Sequence, residues 1–203
     1  MNTLLKSLWT AVTVLALSAA VAAPQEAVNQ IRTSAQQVLN ILNKDNGANS
    51  AAVRAEAERY ALPYFDFERM TALAVGLPWK NASADQKARL SEAFKNKLIR
   101  IYSGTMLQYK NAKVTINDNP QVNKNGREVI VGSEVLPNAG GKNAVVHIDY
   151  TMYQSGNTYR IYDIKVEGQS LVTVYRNQFG DIVKQKGIDG LITELQQENS
   201  GKK

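Results

Sequence analysis

Two close pairs of carboxylates are the residues most able to carry acid–base chemistry. Asp66 lies two positions before Glu68, and Asp163 lies four positions before Glu167. Paired carboxylates can divide the roles of general acid and general base. However, Asp66 stands where a helix N-cap is expected, and Glu68 complements the same helix N-terminus. Asp163 and Glu167 share a strand face with Lys165. The structural interpretation is favoured for both pairs, and no catalytic residue is predicted.

Composition excludes several other kinds of site. The chain has no cysteine, so it has neither a thiol nucleophile nor a disulfide framework. His147 is the single histidine, so a site with several histidine ligands cannot be built. Because His147 alternates with the apolar Val146 and Ile148, we expect it to face solvent. Gly140-Gly141 lacks the flanking residues of a phosphate loop. The sequence therefore predicts neither a metal nor a cofactor.

Basic residues outnumber acidic ones, and the formal net charge is +6. A positive surface favours anionic membranes or acidic partners, although a simply solvated surface is the alternative. The basic residues between positions 87 and 100 are not arranged with stacking aromatic residues as a single-strand-binding surface requires. Nucleic acid is therefore not predicted as a partner.

The first 22 residues have the pattern of a secretory signal peptide. A lysine at position 6 precedes an apolar run over 8–19, and Ala20-Val21-Ala22 is a small-x-small cleavage signature. A retained membrane anchor is the alternative, but the run is shorter than the roughly 20 residues that cross a bilayer. We expect cleavage after Ala22, which lowers the net charge to +5. One domain over 23–198 and a disordered tail over 199–203 should follow.

Helical periodicity dominates both ends of this domain. Asp66 is a predicted N-cap, Ser83 and Gln86 form a capping-box pattern, and Gly187 is expected to separate two helical pieces. Helices are predicted over 25–42, 50–62, 67–75, 84 to about 110, 171–186 and 188–198.

A period of two replaces the helical period in the middle of the chain. Strands are predicted over 114–116, 129–135, 146–152 and 162–166, with turn residues between them. The predicted fold class is α+β, with helices packed on one face of a curved four-stranded antiparallel sheet. The apolar residues either pack as a solid core or enclose an apolar cavity.

Three segments carry a resemblance to a known family. They are YFDFERMTALAVG at 64–76, LSEAFKNKLIRIYSGTML at 90–107 and YRIYDIKVEGQSLVTVYRNQFGDIVKQKGIDGLITEL at 159–195. Together, in this order, they resemble the MlaC family, also called the toluene-tolerance lipid-binding family, over most of the chain after residue 22.

The resemblance implies a periplasmic carrier that holds a glycerophospholipid by its acyl chains as cargo and moves it between two membranes. The partners that it implies are an outer-membrane lipoprotein bound to a porin, and an inner-membrane ABC transporter with its MCE subunit. A cationic side chain is expected to pair with the lipid phosphate at the cavity mouth, and the candidates are Arg100 and Arg160. The expected cavity lining is Phe67, Met70, Leu73, Leu98, Ile101, Tyr102, Val129, Val131, Val146, Ile148, Tyr150, Tyr162, Ile164, Val166, Val172 and Phe179.

Two further hypotheses remain open from the residues alone. An isomerase-like enzyme could use the same pocket, provided that a carboxylate or tyrosine is buried in it. An envelope adaptor with a solid core would bind only other proteins. Extraction of the purified protein with organic solvent separates these hypotheses from a lipid carrier.

Overall fold

The computed structural model describes residues 24–123, 127–137 and 144–201, so the predicted signal peptide lies outside the described residues. The helices are α1 (Pro24–Leu42), α2 (Ser50–Ala61), α3 (Phe67–Val75), α4 (Ala84–Tyr102) and α5 (Leu171–Asn199). Short 3-10 helices span Leu62–Tyr64, Leu77–Asn81 and Ser103–Tyr109. The strands are β1 (Lys113–Ile116), β2 (Gln121–Val122), β3 (Glu128–Leu136), β4 (Val146–Ser155), β5 (Thr158–Val166) and β6 (Gln169–Ser170).

The strands form one antiparallel sheet. Its order is β1-β3-β4-β5-β6, and β2 pairs with the other half of β3. The four predicted strands correspond to β1, β3, β4 and β5, whereas the two-residue strands β2 and β6 were too short to show a period. The α+β class with an antiparallel sheet is confirmed.

A β-bulge changes the direction of side chains in β5. Tyr150 is opposite Ile164, but after an irregularity at Thr151/Met152 the partner of Met152 is Ile161. Ile161 packs against α1, while the adjacent Tyr162 packs against α3, α4 and α5. The expectation that Tyr162 and Ile164 face the same side is therefore wrong, because a bulge shifts the alternation by one residue.

Helices α3, α4 and α5 enclose an aromatic core. Phe94 makes edge contacts with Tyr175 and Phe179, at ring-centroid distances of 4.8 and 5.0 Å. Helix α5 reverses at Gly187, where φ is 67° and ψ is −175°. Leu191 in its second half then returns to the same core. The predicted break at Gly187 is confirmed, and we call this cluster the helical core.

Helix α1 takes part in two further clusters. Its first turns pack Ala27 and Val28 against Val129 and Val131 of the sheet. The Gln30 side-chain amide donates to the Tyr159 carbonyl at 2.7 Å and accepts from the Tyr159 N–H at 2.9 Å, which fastens α1 to β5. The end of α1 packs with α2 in a separate cluster, against the Ser103–Tyr109 3-10 helix.

The fourth predicted helix is shorter than expected. Helix α4 ends at Tyr102 and continues as the Ser103–Tyr109 3-10 helix, rather than extending to about residue 110. Ser103, Gly104 and Thr105 are weak helix formers, and the Thr105 hydroxyl donates to the Tyr102 carbonyl at 2.8 Å.

The last helix continues into the segment for which we expect disorder. Helix α5 includes Asn199, whose side-chain amide donates to the Ala93 carbonyl at 2.8 Å. Residues 202 and 203 lie outside the described part of the chain. Across the described ranges, no helix combines the length and the apolar character that crossing a membrane requires.

Candidate functional site

An apolar pocket of about 260 Å³ lies between α1 and the sheet. The Leu62–Tyr64 and Ser103–Tyr109 3-10 helices flank it. Its lining consists of Gln30, Ile31, Ser34, Ala35, Val38, Leu39, Leu42, Ala61, Tyr64, Phe65, Met106, Tyr109, Val114, Val135, Ile148, Tyr150 and Ile161. None of these described lining side chains carries a formal charge, so the pocket suits an apolar ligand.

The sequence of α1 explains why a space remains here. Residues 30, 31, 34, 35, 38, 39 and 42 form one stripe of the helix at helical spacing. Ile31 at one end of this stripe packs in the sheet cluster, and Leu42 at the other end packs in the cluster with α2. Between them the stripe contains the small Ser34 and Ala35 as well as Val38 and Leu39, and the pocket lies between this part of α1 and the sheet.

Tyrosines supply most of the polarity near the pocket. Burial raises the pKa of Tyr150, which is only partly offset by a hydrogen bond with the Ser133 hydroxyl. The hydroxyls of Tyr60 and Tyr64 are 3.5 Å apart, and this contact raises the pKa of Tyr60. The hydroxyl of Tyr150, which lines the pocket, is therefore neutral at pH 7.

Two of the predicted cavity residues, Ile148 and Tyr150, line the pocket. Val129, Val131 and Ile164 belong to the cluster between α1 and the sheet. Two others are half-buried in the sheet: Val166 pairs with Ile148, and Val146 pairs with Val135.

The other predicted cavity residues lie elsewhere. Seven belong to the helical core or pack against it, namely Phe67, Met70, Leu73, Leu98, Tyr162, Val172 and Phe179. Ile101 and Tyr102 are 39% and 42% exposed. None of these nine lines the pocket in this structure, because seven pack in or against the helical core and the other two are exposed. Periodicity identifies an apolar face but not the surface that covers it.

The side chains of the two predicted head-group residues are engaged in other contacts. Arg160 donates from its guanidinium to the Phe65 carbonyl at 2.7 Å, on the sheet face that carries Tyr153. Arg100 lies on α4 and is 4.0 Å from a carboxylate oxygen of Glu198. Neither is among the residues that line the pocket.

The prediction missed the contribution of α1 and of the Ser103–Tyr109 3-10 helix. The apolar stripe of α1 was visible as a helical period, but nothing in the sequence linked it to the strands. Met106 and Tyr109 fitted the register of a longer α4, so they were interpreted as part of that helix.

The aspartate of each carboxylate pair has a structural role. Asp66 caps α3 by accepting from the Arg69 N–H at 2.9 Å, and it also accepts from the Tyr153 hydroxyl. Asp163 accepts from the Ser170 hydroxyl at 2.6 Å and from the Val172 N–H at 3.1 Å, which holds the start of α5. The N-cap prediction for Asp66 is confirmed.

The single histidine faces solvent, as predicted. Its side chain is 60% exposed and lies 3.4 Å from Glu167 and 3.7 Å from Glu134. Over the described residues, no group of three or more histidine, aspartate or glutamate side chains is placed to hold a metal ion.

A known protein family matches most of this chain. The family model described as MlaC protein matches residues 32–197. The chain belongs to the MlaC family. The resemblance seen in the sequence is thereby confirmed, and the matched range also takes in α1 from residue 32 onward.

Named relatives of this MlaC-family chain include two bacterial proteins. The toluene tolerance protein ttg2D of Pseudomonas putida is 29% identical over 110 residues, which are 54% of this chain and 49% of that protein. The match thus spans about half the length of that relative. The intermembrane phospholipid transport system binding protein MlaC of Haemophilus influenzae is 22% identical over 172 residues, which are 81% of this chain and 80% of that protein.

A solved structure shares the fold. The phospholipid-binding protein of Ralstonia solanacearum, determined in complex with a phospholipid, superimposes with a TM-score of 0.75 at 28% identity. The superposition covers 87% of this chain and 98% of that one.

Proposed function

We propose that this chain is a phospholipid carrier that holds acyl chains in the pocket between α1 and the sheet. The observation that carries the proposal is an apolar pocket, without a charged lining residue, inside the fold of a protein solved with a bound phospholipid. The family assignment and the name of the Haemophilus influenzae relative support the same function.

The physics of lipid transfer requires such a pocket. Transfer of one methylene from an apolar environment into water costs about 0.8 kcal/mol. For the roughly 30 methylenes of two acyl chains, the free-energy cost of transfer into water is on the order of 20 kcal/mol. A protein cavity must replace the bilayer during transfer. Because cavity and bilayer are both apolar, the free energies of the lipid in them are similar, and the direction of transfer comes from the partners.

The pocket must enlarge if it is to hold two acyl chains. A cavity of about 150 Å³ accommodates one benzene ring, so 260 Å³ accommodates on the order of ten carbon atoms. Two acyl chains need more room. We therefore expect α1 to move away from the sheet when lipid binds. The strands are held together by backbone hydrogen bonds, whereas α1 contacts the sheet mainly through side chains.

We propose that export and partner binding follow the family pattern. Residues 1–22 direct the chain to the periplasm, and residues 23–198 act as the lipid-binding domain. The carrier then exchanges lipid with an outer-membrane lipoprotein–porin complex and an inner-membrane ABC transporter with an MCE subunit. The name of the Haemophilus influenzae relative, which refers to an intermembrane transport system, supports this arrangement.

The two alternative hypotheses have less support. An isomerase-like enzyme requires an acid or base in the pocket, but the described lining contains no carboxylate, and Tyr150 is held in its neutral form. An adaptor with a solid core does not account for the space between α1 and the sheet.

The test is to purify the processed chain from a Gram-negative host without detergent and to analyse it by native mass spectrometry. We expect roughly one phospholipid per chain, as one pocket of one domain suggests. Organic extraction should release the lipid and remove the added mass. Protein that carries no lipid, and takes none from vesicles after purification, would contradict the proposal.

A further inference from the structure

A second pocket, of about 350 Å³, adjoins the apolar one on the neighbouring stripe of α1. The two pockets share Ala35, Leu39 and Val114. Beyond these shared residues the second pocket becomes polar, because α1 contributes Arg32 and β1 begins with Lys113. We call this second pocket the α1–β1 slot.

The two cations of the slot differ in their surroundings. In the described part of the chain, Lys113 makes no ion pair or hydrogen bond through its side chain. Arg32 donates to the Asn29 side chain at 3.1 Å and pairs with Asp118, while remaining 44% exposed. A guanidinium has five N–H donors, so Arg32 keeps donors for a further acceptor.

Amide groups complete the wall of the slot. The Asn43 carbonyl oxygen accepts from the Asn111 N–H at 2.8 Å, which fixes the orientation of the amide and leaves its NH₂ as a donor. No acidic side chain is among the described lining residues of the slot. The slot is therefore cationic and rich in donors at the point where the apolar pocket ends.

We infer that the α1–β1 slot binds the phosphate of the glycerophospholipid whose acyl chains enter the apolar pocket. The inference rests on the proposed function. In such a lipid only the glycerol separates the phosphate from the chains, so a phosphate site must adjoin the acyl pocket, as this slot does. Charge-assisted hydrogen bonds from lysine and arginine to phosphate oxygens are among the stronger polar contacts in proteins.

The charge of the slot also predicts a preference among lipids. A phosphatidylglycerol head group has a net negative charge, whereas phosphatidylethanolamine adds an ammonium group that offsets its phosphate. Lys113 and Arg32 therefore favour the anionic lipid. Asp118 opposes this preference, because it holds part of the Arg32 charge.

The experiment reloads delipidated protein from phosphatidylglycerol or phosphatidylethanolamine vesicles and measures bound lipid by native mass spectrometry. We expect Lys113→Ala combined with Arg32→Ala to reduce phosphatidylglycerol affinity about tenfold or more, and phosphatidylethanolamine affinity by less. Lys113→Arg should retain the preference. Asp118→Asn should raise phosphatidylglycerol loading. The control is Lys184→Ala, which removes an exposed lysine of α5 and should load as the wild type does.

The outcomes separate this inference from the proposed function. If the double variant loads both lipids as the wild type does, the phosphate lies elsewhere and the inference is overturned, while the carrier function stands. If inorganic phosphate binds in a Lys113-dependent manner and lipid loading is unchanged, the slot is a free-phosphate site, which also overturns it. Wild-type protein that loads neither lipid would overturn both. Melting curves verify that each variant is folded.

Discussion

The ionisation of one pocket residue, Tyr150, affects the stability of the fold. Its hydroxyl is near Ser133, and burial raises its pKa above the ordinary value of 10.0. Because the folded-state pKa is raised, the neutral hydroxyl contributes stability that is complete below pH 10 and is lost as the pH rises through the folded pKa. Ionisation of Tyr150 is thus linked to the free energy of unfolding.

This linkage predicts how Tyr150→Phe responds to alkaline pH. Above pH 10 the variant should lose less of its unfolding free energy than the wild type, since phenylalanine cannot ionise. Some alkaline loss should remain, because burial also raises the pKa of Tyr162 and raises that of Tyr175 to about 12. Urea unfolding at pH 7 and pH 11 measures the difference. An identical loss in both proteins would contradict the assignment of Tyr150 to a buried site.

At the residue scale, features that depend on neighbouring residues could be predicted, whereas positions that depend on the tertiary fold could not. The caps at Asp66 and Ser83 were predictable because a cap depends on residues within four positions of it. The two cations of the α1–β1 slot were not predictable in this way. Arg32 and Lys113 are 81 positions apart in sequence, and only the tertiary fold brings them to one slot.

Helix α5 depends on the backbone at one glycine. At Gly187 the φ of 67° and ψ of −175° lie in a region that is almost restricted to glycine. This single residue lets the two halves of α5 reverse direction and pack on the same core. The reversal places Asp189 within 3.1 Å of the Gln86 side chain and pairs Glu198 with Lys97.

Two glycines of α5 provide a matched test. Gly187→Ala should lower the free energy of unfolding by about 1–3 kcal/mol, because alanine is strained at this φ and ψ. Gly180→Ala, in regular helix with open space around the new methyl group, should raise it by about 0.5–1 kcal/mol. Chemical denaturation measures both. Similar effects of the two substitutions would contradict the reversal at Gly187.

Element type and order could be predicted from the sequence, whereas two local deviations could not. The change from helical to two-residue period is encoded in the side chains themselves. The bulge near Met152 is an irregularity of the backbone pairing. The apolar residues of β5 are compatible with the strand register before or after the bulge, so they do not reveal it. The end of α4 at Tyr102 depends on Gly104 and its neighbours, which interrupt the helix without interrupting its apolar spacing.

At the scale of the whole molecule, the helical core and the pocket occupy different places. The helical core is closely packed around Phe94 and Phe179, which are almost fully buried. The pocket lies between the two clusters in which α1 takes part. The molecule thus combines a packed helical core with a pocket along α1, where we propose that the ligand binds.

This division was not accessible from the sequence. Leu98 and Ile148 are both apolar residues at regular spacing in strongly patterned elements, and each was expected in the cavity lining. Their difference lies in what faces them. Leu98 packs with residues of α3 and α5, whereas Ile148 lines the pocket opposite the stripe of α1.

Substitutions at these two residues test the central claim that acyl chains bind between α1 and the sheet. Ile148→Asp places a charge against the chains, which costs several kcal/mol in the bound state. Lipid occupancy after expression, measured by native mass spectrometry, should collapse. The delipidated variant should melt only slightly below the delipidated wild type, because water can reach the carboxylate in an open pocket.

The matched variant is Leu98→Ala in the helical core. It should lower the free energy of unfolding by about 2–5 kcal/mol and leave the lipid occupancy of the folded protein near that of the wild type. The opposite pattern, with lipid retained in Ile148→Asp and lost in folded Leu98→Ala, would place the acyl chains among α3, α4 and α5 and contradict the account.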